Sequence, residues 1–517
     1  MKNRGIIRYL FYAFLFLSVG LFHTACEDDP LDIYRVGDED PSDWNGNIYD
    51  YLKGEGCYNY YVRIIDMAEE DGIKYSEVLS RTGSKTLFVV KDEAFEAFFA
   101  GNEYGIRRFE DLSVTQCRSI LFGNMLNHAY VLDMLANISG ADRATAGTMR
   151  RTTDLPNLDS IPFERGDALP YNRFWDRFRE TGVHLMTDGG KRDAYTMVHF
   201  LERHMKLSEV SITDEDFYVM THVNRQAGDA YLFDVKIVER NIRCKNGYVN
   251  VLERVLLPRD NMAEYIRKNP NTSVFSRFLE RYAIPLVSPL NDTYRRMYPE
   301  ATDTLFSKVF MNKTNFLEGG SMTVDGEIIT LSSLLNFDPG NNGYAPSNKL
   351  EQDMGAIFVP TDAALNEYFT SGSGRFLQER YGSWDSVPDL VLDKLINNHM
   401  RLSFINSIPS RFGALEDKMG TKMGVQPGDI EYAYICSNGI VYVTNKVYSP
   451  TEYVSIMAPV RTNENTSIFA WTIDRLQFDL YLLSMENQFT FLVPTDDAFD
   501  NYIDPSSLAR GTAERWK

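Results

Sequence analysis

A hydrophobic run that ends in Pro or Lys, followed by an Asp that opens a helix, occurs three times in this chain. The copies are Leu87-Phe88-Val89-Val90-Lys91-Asp92-Glu93-Ala94-Phe95, Ile357-Phe358-Val359-Pro360-Thr361-Asp362-Ala363-Ala364-Leu365 and Phe491-Leu492-Val493-Pro494-Thr495-Asp496-Asp497-Ala498-Phe499. Repetition limits the fold strongly, because each copy has to satisfy the same local geometry. One module was used several times.

The pattern is that of a strand running into a helix. Pro360 and Pro494 lack a backbone N–H and push the preceding valine into an extended conformation, which ends the strand. Thr361 and Thr495 are placed to accept from the free amides of the first helical turn, and Asp362 and Asp496 put negative charge at the positive end of the helix dipole. In the first copy Lys91 replaces Thr, so Asp92 is expected to cap alone. Ala94, Phe95, Phe98 and Phe99 match Ala364, Leu365, Tyr368 and Phe369, and also Ala498, Phe499, Tyr502 and Ile503. Those offsets fall on one helical stripe, which predicts core packing.

Further landmarks keep step with the box. Leu121, Met125 and Asn127-His128 follow the first copy, and Leu392, Ile396 and Asn398-His399 follow the second. His128 and His399 trail apolar residues at helical spacing, which predicts buried, hydrogen-bonded core histidines. Each unit closes on Asn-Gly and an alternating apolar strand, Asn246-Gly247 through Pro258 and Asn438-Gly439 through Pro450. Asn-Gly suits a tight hairpin, and the alternation predicts a half-buried strand. A helix start, Asn271-Thr272-Ser273 and Asn465-Thr466-Ser467, leads the later units.

The box, the central His and the Asn-Gly closing strand together resemble the fasciclin-like domain. The second and third boxes match its Pro-Thr-Asp core, whereas Lys91 departs from it, and Asn stands before each His where Tyr is more usual. The resemblance implies an α+β fold, a wedge-like β-sandwich with flanking helices in tandem. It also implies adhesion or the binding of matrix, polysaccharide or protein partners, without enzymatic activity. In outline the units are residues 45–258, 262–459 and an incomplete 460–517. The third carries the leading helix and box but not the central pair or closing strand, as expected of a truncated reading frame or, alternatively, of a module whose missing half another polypeptide supplies.

The N-terminus predicts export. Lys2, Arg4 and Arg8 precede an apolar stretch from Tyr9 to Phe22, too short to span a bilayer comfortably but suited to a signal peptide over residues 1–25. His23-Thr24-Ala25-Cys26 resembles a bacterial lipobox, which makes Cys26 the lipidation site and residues 26–44 an acidic tether. Its alternative is an ordinary secretory signal with an incidental cysteine. The tether has many carboxylates and little to bury, so it is expected to be disordered. An acidic run after a lipidated Cys resembles a surface-export signal of saccharolytic bacteria, and the expected location is the outer membrane, lipid-anchored and surface-exposed.

Charge narrows the partners. With 72 acidic and 53 basic residues the chain carries a formal −19. Nucleic acid demands a basic surface, so no nucleic-acid partner is expected. Cys57, Cys117, Cys244 and Cys436 are distributed too irregularly to predict a disulfide framework. No Gly-x-Ser-x-Gly elbow, His-Glu-x-x-His helix, phosphate loop or Cys-x-x-Cys pair occurs. No catalytic residues, metal ligands or cofactor are assigned. The acidic run Asp214-Glu215-Asp216 is too ordinary in so acidic a chain to mark a glycosidase.

The units differ by insertions, about 145–240 in the first and about 290–350 in the second. The first is rich in aromatics and histidines, including Tyr171, Trp175, His184, Tyr195, His199 and His204. Loops vary without disturbing a core, so the insertions are the expected binding surface, with Tyr171, Trp175 and Tyr195 as candidate stacking residues. The competing expectation is that they pack against neighbouring parts of the chain. Two functions fit: a surface lipoprotein that adheres to polysaccharide, matrix protein or another cell, and an accessory subunit of an outer-membrane transporter complex for glycan uptake.

Overall fold

The computed structural model describes residues 46–503, 505 and 507, apart from 71–72, 82, 103, 138–146, 156–160, 187–194, 208–209, 325, 347–349, 454–455, 477, 479–481 and 483–489. Cys26, the signal segment and the acidic tether lie outside the described residues.

Helices and sheets are interleaved throughout. The first unit runs α1 (Ile48–Glu55), α2 (Asn59–Met67), β1 (Lys85–Val89), α3 (Asp92–Ala100), α4 (Val114–Gly123) and β2 (Met125–Leu126). Its insertion supplies β3 (Arg150–Thr152), β4 (Phe163–Glu164), β5 (Val183–Met186), β6 (Thr196–Phe200), α5 (Asp214–Thr221) and β7 (Tyr231–Leu232). The hairpin β8 (Val235–Cys244) and β9 (Gly247–Leu252) closes it. The second unit runs α6 (Met262–Lys268), α7 (Ser273–Glu280), β10 (Ala283–Val287), β11 (Phe306–Phe310), β12 (Gly355–Pro360), α8 (Asp362–Thr370), α9 (Asp389–His399), β13 (Met400–Arg401), β14 (Ile430–Ile435) and β15 (Gly439–Thr444). Helices α10 (Ser467–Arg475) and α11 (Asp496–Asp500) follow.

The repetition reappears in three dimensions. The first unit contains the strand order β2-β1-β9-β8 and the second β13-β12-β15-β14. In each, the box strand lies parallel to the closing strand, with Lys85 opposite Gly247 and Gly355 opposite Gly439. The asparagine before that glycine does matching work in both. Asn246 accepts from the Ile48 N–H at 2.8 Å and donates to the carbonyls of Leu79 and Arg81. Asn438 accepts from the Met262 N–H at 2.9 Å and donates to those of Pro339 and Asn341. Each asparagine thus ties the start of a unit's first helix to its closing strand.

The closing strands are buried on both faces, not the half-buried strands that the alternation predicts. Val441 and Val443 face the helices of the second unit, while Ile440 and Tyr442 join the core of the first. A strand paired on both edges and packed on both faces alternates between two cores, not between core and water. In the third unit, Phe491 to Pro494 form no strand. Among the described residues no strand pairs with that run, so the ladder that holds β1 and β12 extended is missing there.

The insertions mostly bind the units to each other. Strands β7, β6 and β3 widen the first sheet, whereas β4 and β5 join β10 and β11 of the second unit in a sheet ordered β10-β11-β5-β4. Helix α5 reaches across as well: Asp216 accepts from the Ser410 N–H at 2.5 Å and from its hydroxyl at 3.0 Å. For most of the first insertion, packing against neighbouring elements is therefore the observed role.

Candidate functional site

The box aspartates cap helices, but not the helices they open. The Asp362 carboxylate accepts from the backbone N–H groups of Ser273 and Val274 at 3.2 and 2.8 Å and from the Ser273 hydroxyl at 2.5 Å. Asp496 does the same for Ser467 and Ile468. Asp92 accepts from the Tyr60 N–H and the Asn59 side chain. The leading helices need this help because the residue before each gives no side-chain cap. The Thr272 hydroxyl, for one, turns away to the Ile266 carbonyl at 2.8 Å. A helix N-terminus left without a cap takes a carboxylate readily, since exposed amides and dipole both favour it. Of the neighbouring threonines, Thr361 caps its own helix by accepting from the Ala364 N–H at 3.2 Å, while Thr495 makes no cap bond.

The two histidines part company. His399 is fully buried at the end of α9, its Nδ1 bonded to the Leu395 carbonyl at 2.8 Å and its Nε2 accepting from the Tyr448 N–H at 3.1 Å. His128 is exposed, beyond the end of β2, which corrects the core assignment. Strand pairing shows why. Met125 sits opposite Leu87 as Met400 sits opposite Ile357, so the residue matching His399 is Asn124. Asn124 is buried and donates at 2.8 Å both to Ile120, four residues back, and to the Leu256 carbonyl in the closing segment. Both side chains bond the carbonyl four residues back and then reach the closing segment, His399 as acceptor and Asn124 as donor, and the sequence match through His128 lies four residues too far along.

Burial pulls the His399 imidazole down to about 4. The neutral ring is held by a donor on one side and an acceptor on the other, and a second proton would face the Tyr448 N–H. With an ordinary value of 6.5 in the unfolded chain, stability is fully present above that pH and falls as pH drops from 6.5 towards 4, by about 3 kcal/mol. His399→Asn, copying Asn124, is expected to flatten this slope. Urea unfolding at pH 7.5, 5.5 and 4 checks it, and equal slopes for the two proteins would remove His399 as the cause.

The aromatic candidates also divide. Trp175 is fully buried, its indole N–H donating to the Ala283 carbonyl at 2.9 Å. Tyr195 is buried too, and its hydroxyl accepts from the Arg259 N–H at 2.7 Å. Neither offers a face to a ligand, and both pin the first insertion to the second unit or to the link between units. Tyr171 is 66% exposed, with the Arg179 guanidinium 4.7 Å from its ring centre. It alone of the three is accessible.

A cleft of 510 Å³ lies in the second unit at the C-terminal end of α9. Lys394 and Asn398 come from the helix, Arg401 from β13, Asp417 and Lys418 from a turn across the opening, and Lys313 from the insertion. The insertion is bonded onto the helix: the Asn336 N–H donates to the Asn397 side chain at 2.6 Å, and Asn397 donates back to Leu334 at 2.9 Å. Arg401 donates to the Glu416 carbonyl at 2.7 Å, and burial pulls its guanidinium down to about 10. Desolvation raises the Asp393 carboxyl above its ordinary value, opposed by Lys394 at 3.4 Å. A smaller cleft, 320 Å³, opens between the insertions beside His184, Tyr294, Tyr298 and Glu300, where Asp303 bonds the His184 ring. Sequence reading missed both, because their walls come from segments far apart in the chain. Among the described residues no three side chains converge as metal ligands.

No protein-family model matches the chain, and no curated protein matches it. Among solved structures it is similar to a FAS1 domain pair from the insect cell adhesion molecule fasciclin I, at 11% identity, over 77% of this chain and 99% of that one, with a TM-score of 0.22. A likeness at that score adds nothing to the fold seen in the sheets themselves.

Proposed function

We propose that the chain is a cell-surface binding protein of the adhesive kind, built on tandem fasciclin-like modules and held at the outer membrane through Cys26. It grips a polysaccharide or protein partner in the cleft of the second unit. The observation that carries this reading is the cleft itself, whose 510 Å³ lies in the range of small-ligand sites and whose roof is the insertion that breaks the repeat. The matching strand orders and matching asparagine bonds support the modular scaffold. The wall carboxylates Asp417 and Glu452 are engaged by backbone amides and by Arg461, which suits holding more than proton transfer. Affinity purification of the full chain from its native membrane, paired with a glycan array, tests the reading. Capture of a saccharide or of an extracellular partner supports it. Stable recovery with a β-barrel transporter and an empty array would replace it with the uptake-complex role.

A further inference from the structure

The charges around this cleft are not balanced by one another. Three of its five wall carboxylates pair with a cation, and a fourth is held by backbone amides. Glu416 pairs with Lys422 at 2.6 Å, Glu452 with the buried Arg461, and Asp393 with Lys394 at 3.4 Å. Asp417 accepts from the backbone N–H groups of Met419, Thr421 and Thr451, each at 2.9 Å. Glu318 stands exposed at the mouth.

The cations are held differently. Arg401 donates to the carbonyls of Glu416 and Asn398, and Lys313 donates at 3.2 Å to the side-chain oxygen of Asn336. Neutral dipoles orient a cation without cancelling its charge. Lys418 is exposed on the turn facing them, close enough that it and Lys394 help hold the Lys313 ammonium below its ordinary range. Desolvation is the larger cause there, opposed by Asp393 and Glu318. Among the described residues these three cations form no salt bridge; they share the cleft with Asp417 and Glu318, which leaves an excess of one positive charge in a protein that carries −19 overall. An incoming oxyanion would gain charge-assisted hydrogen bonds from all three.

We propose that the cleft binds a sugar acid, a saccharide whose carboxylate or sulfate sits among Lys313, Arg401 and Lys418. The inference rests on the binding role proposed above and adds the charge of the ligand. Glu318 and Asn406 flank the cations for sugar hydroxyls, and Leu402 and Leu415 supply apolar surface for a C–H face. The volume accommodates one or two sugar rings, consistent with small-ligand clefts.

Calorimetric titration of the full chain with a galacturonate trisaccharide, a sulfated disaccharide, a neutral glucose trisaccharide and an acidic tetrapeptide tests this. An acidic sugar is expected to bind, with Kd at least tenfold weaker in the Lys313→Ala, Lys418→Ala double variant and weaker again as salt is raised. Preference between the first two probes assigns carboxylate or sulfate. Both lysines are exposed, and circular dichroism of the variant guards against misfolding. Equal binding of the neutral trisaccharide, or acidic-sugar binding untouched by the double substitution, overturns the charge assignment while leaving a saccharide-binding protein. Preference for the tetrapeptide overturns the sugar. Silence from every probe, while a membrane partner is still captured, overturns the proposal but not the binding role.

Discussion

Replacing Arg150 with alanine is expected to destabilise the protein by about 3–5 kcal/mol and to let the two units unfold separately. Arg150 is fully buried on β3, in the first insertion, yet its guanidinium serves the second unit. It donates to the carbonyls of Leu350 at 2.6 Å, Asp353 at 2.9 Å and Ser437 at 3.4 Å, and to that of Tyr344. Four acceptors from three segments are satisfied by one planar group, which alanine would leave unpaired around a cavity. Burial pulls this guanidinium down to about 10, the sign of a cation taken far from water. The backbone continues the junction: the Met149 N–H donates to the Glu351 carbonyl at 2.9 Å, and Thr196 donates to Ser437 at 2.8 Å. Urea unfolding followed by tryptophan fluorescence should change from one transition to two. A single transition with an unshifted midpoint would show that the junction does not depend on Arg150.

The second large effect is expected at Gly247. Its φ is +147°, and a Cβ placed there would stand 1.8 Å from the Lys85 carbonyl oxygen. The obstacle is the backbone of the paired strand β1, which cannot rotate aside as a side chain can. Gly247→Ala must therefore part β1 from β9 at the first rung of the ladder, at about 4 kcal/mol or more. Gly428→Ala is the control, since nothing lies within 4 Å of its Cβ and its φ is unremarkable. That change should stay within about 0.5 kcal/mol. Soluble yield and thermal midpoints of the two variants give the comparison, and a Gly247 variant as stable as the control would mean that the strands do not approach so closely.

Repetition made the scaffold legible and concealed the bonds that hold it. The box, its helix and the closing strand could be read from Phe358, Pro360 and Gly439 because local chemistry decides them. The partner of Asp362 could not, since Ser273 lies 89 residues away and nothing in the box points to it. His128 misled because the repeat was aligned on residue identity, whereas the fold keeps a position bonded to the carbonyl four residues back, which Asn124 fills instead. Trp175 and Tyr195 misled for a different reason: an aromatic in an insertion looks the same in sequence whether it faces water or a neighbour. The cleft was invisible because its character lies in which charges are already spoken for, and only the paired positions of Glu416 with Lys422 and Glu452 with Arg461 reveal that.

The sheet shared by the two units has a mechanical meaning. Strand β5 of the first unit lies parallel to β11 of the second, Leu185 beside Phe306 and Met186 beside Ser307. A pull applied between the first unit and a ligand gripped in the second would not fall on the covalent link near residue 260 alone. It would be shared with the strand pairing and with the Arg150 junction, where several bonds must break together before the units part.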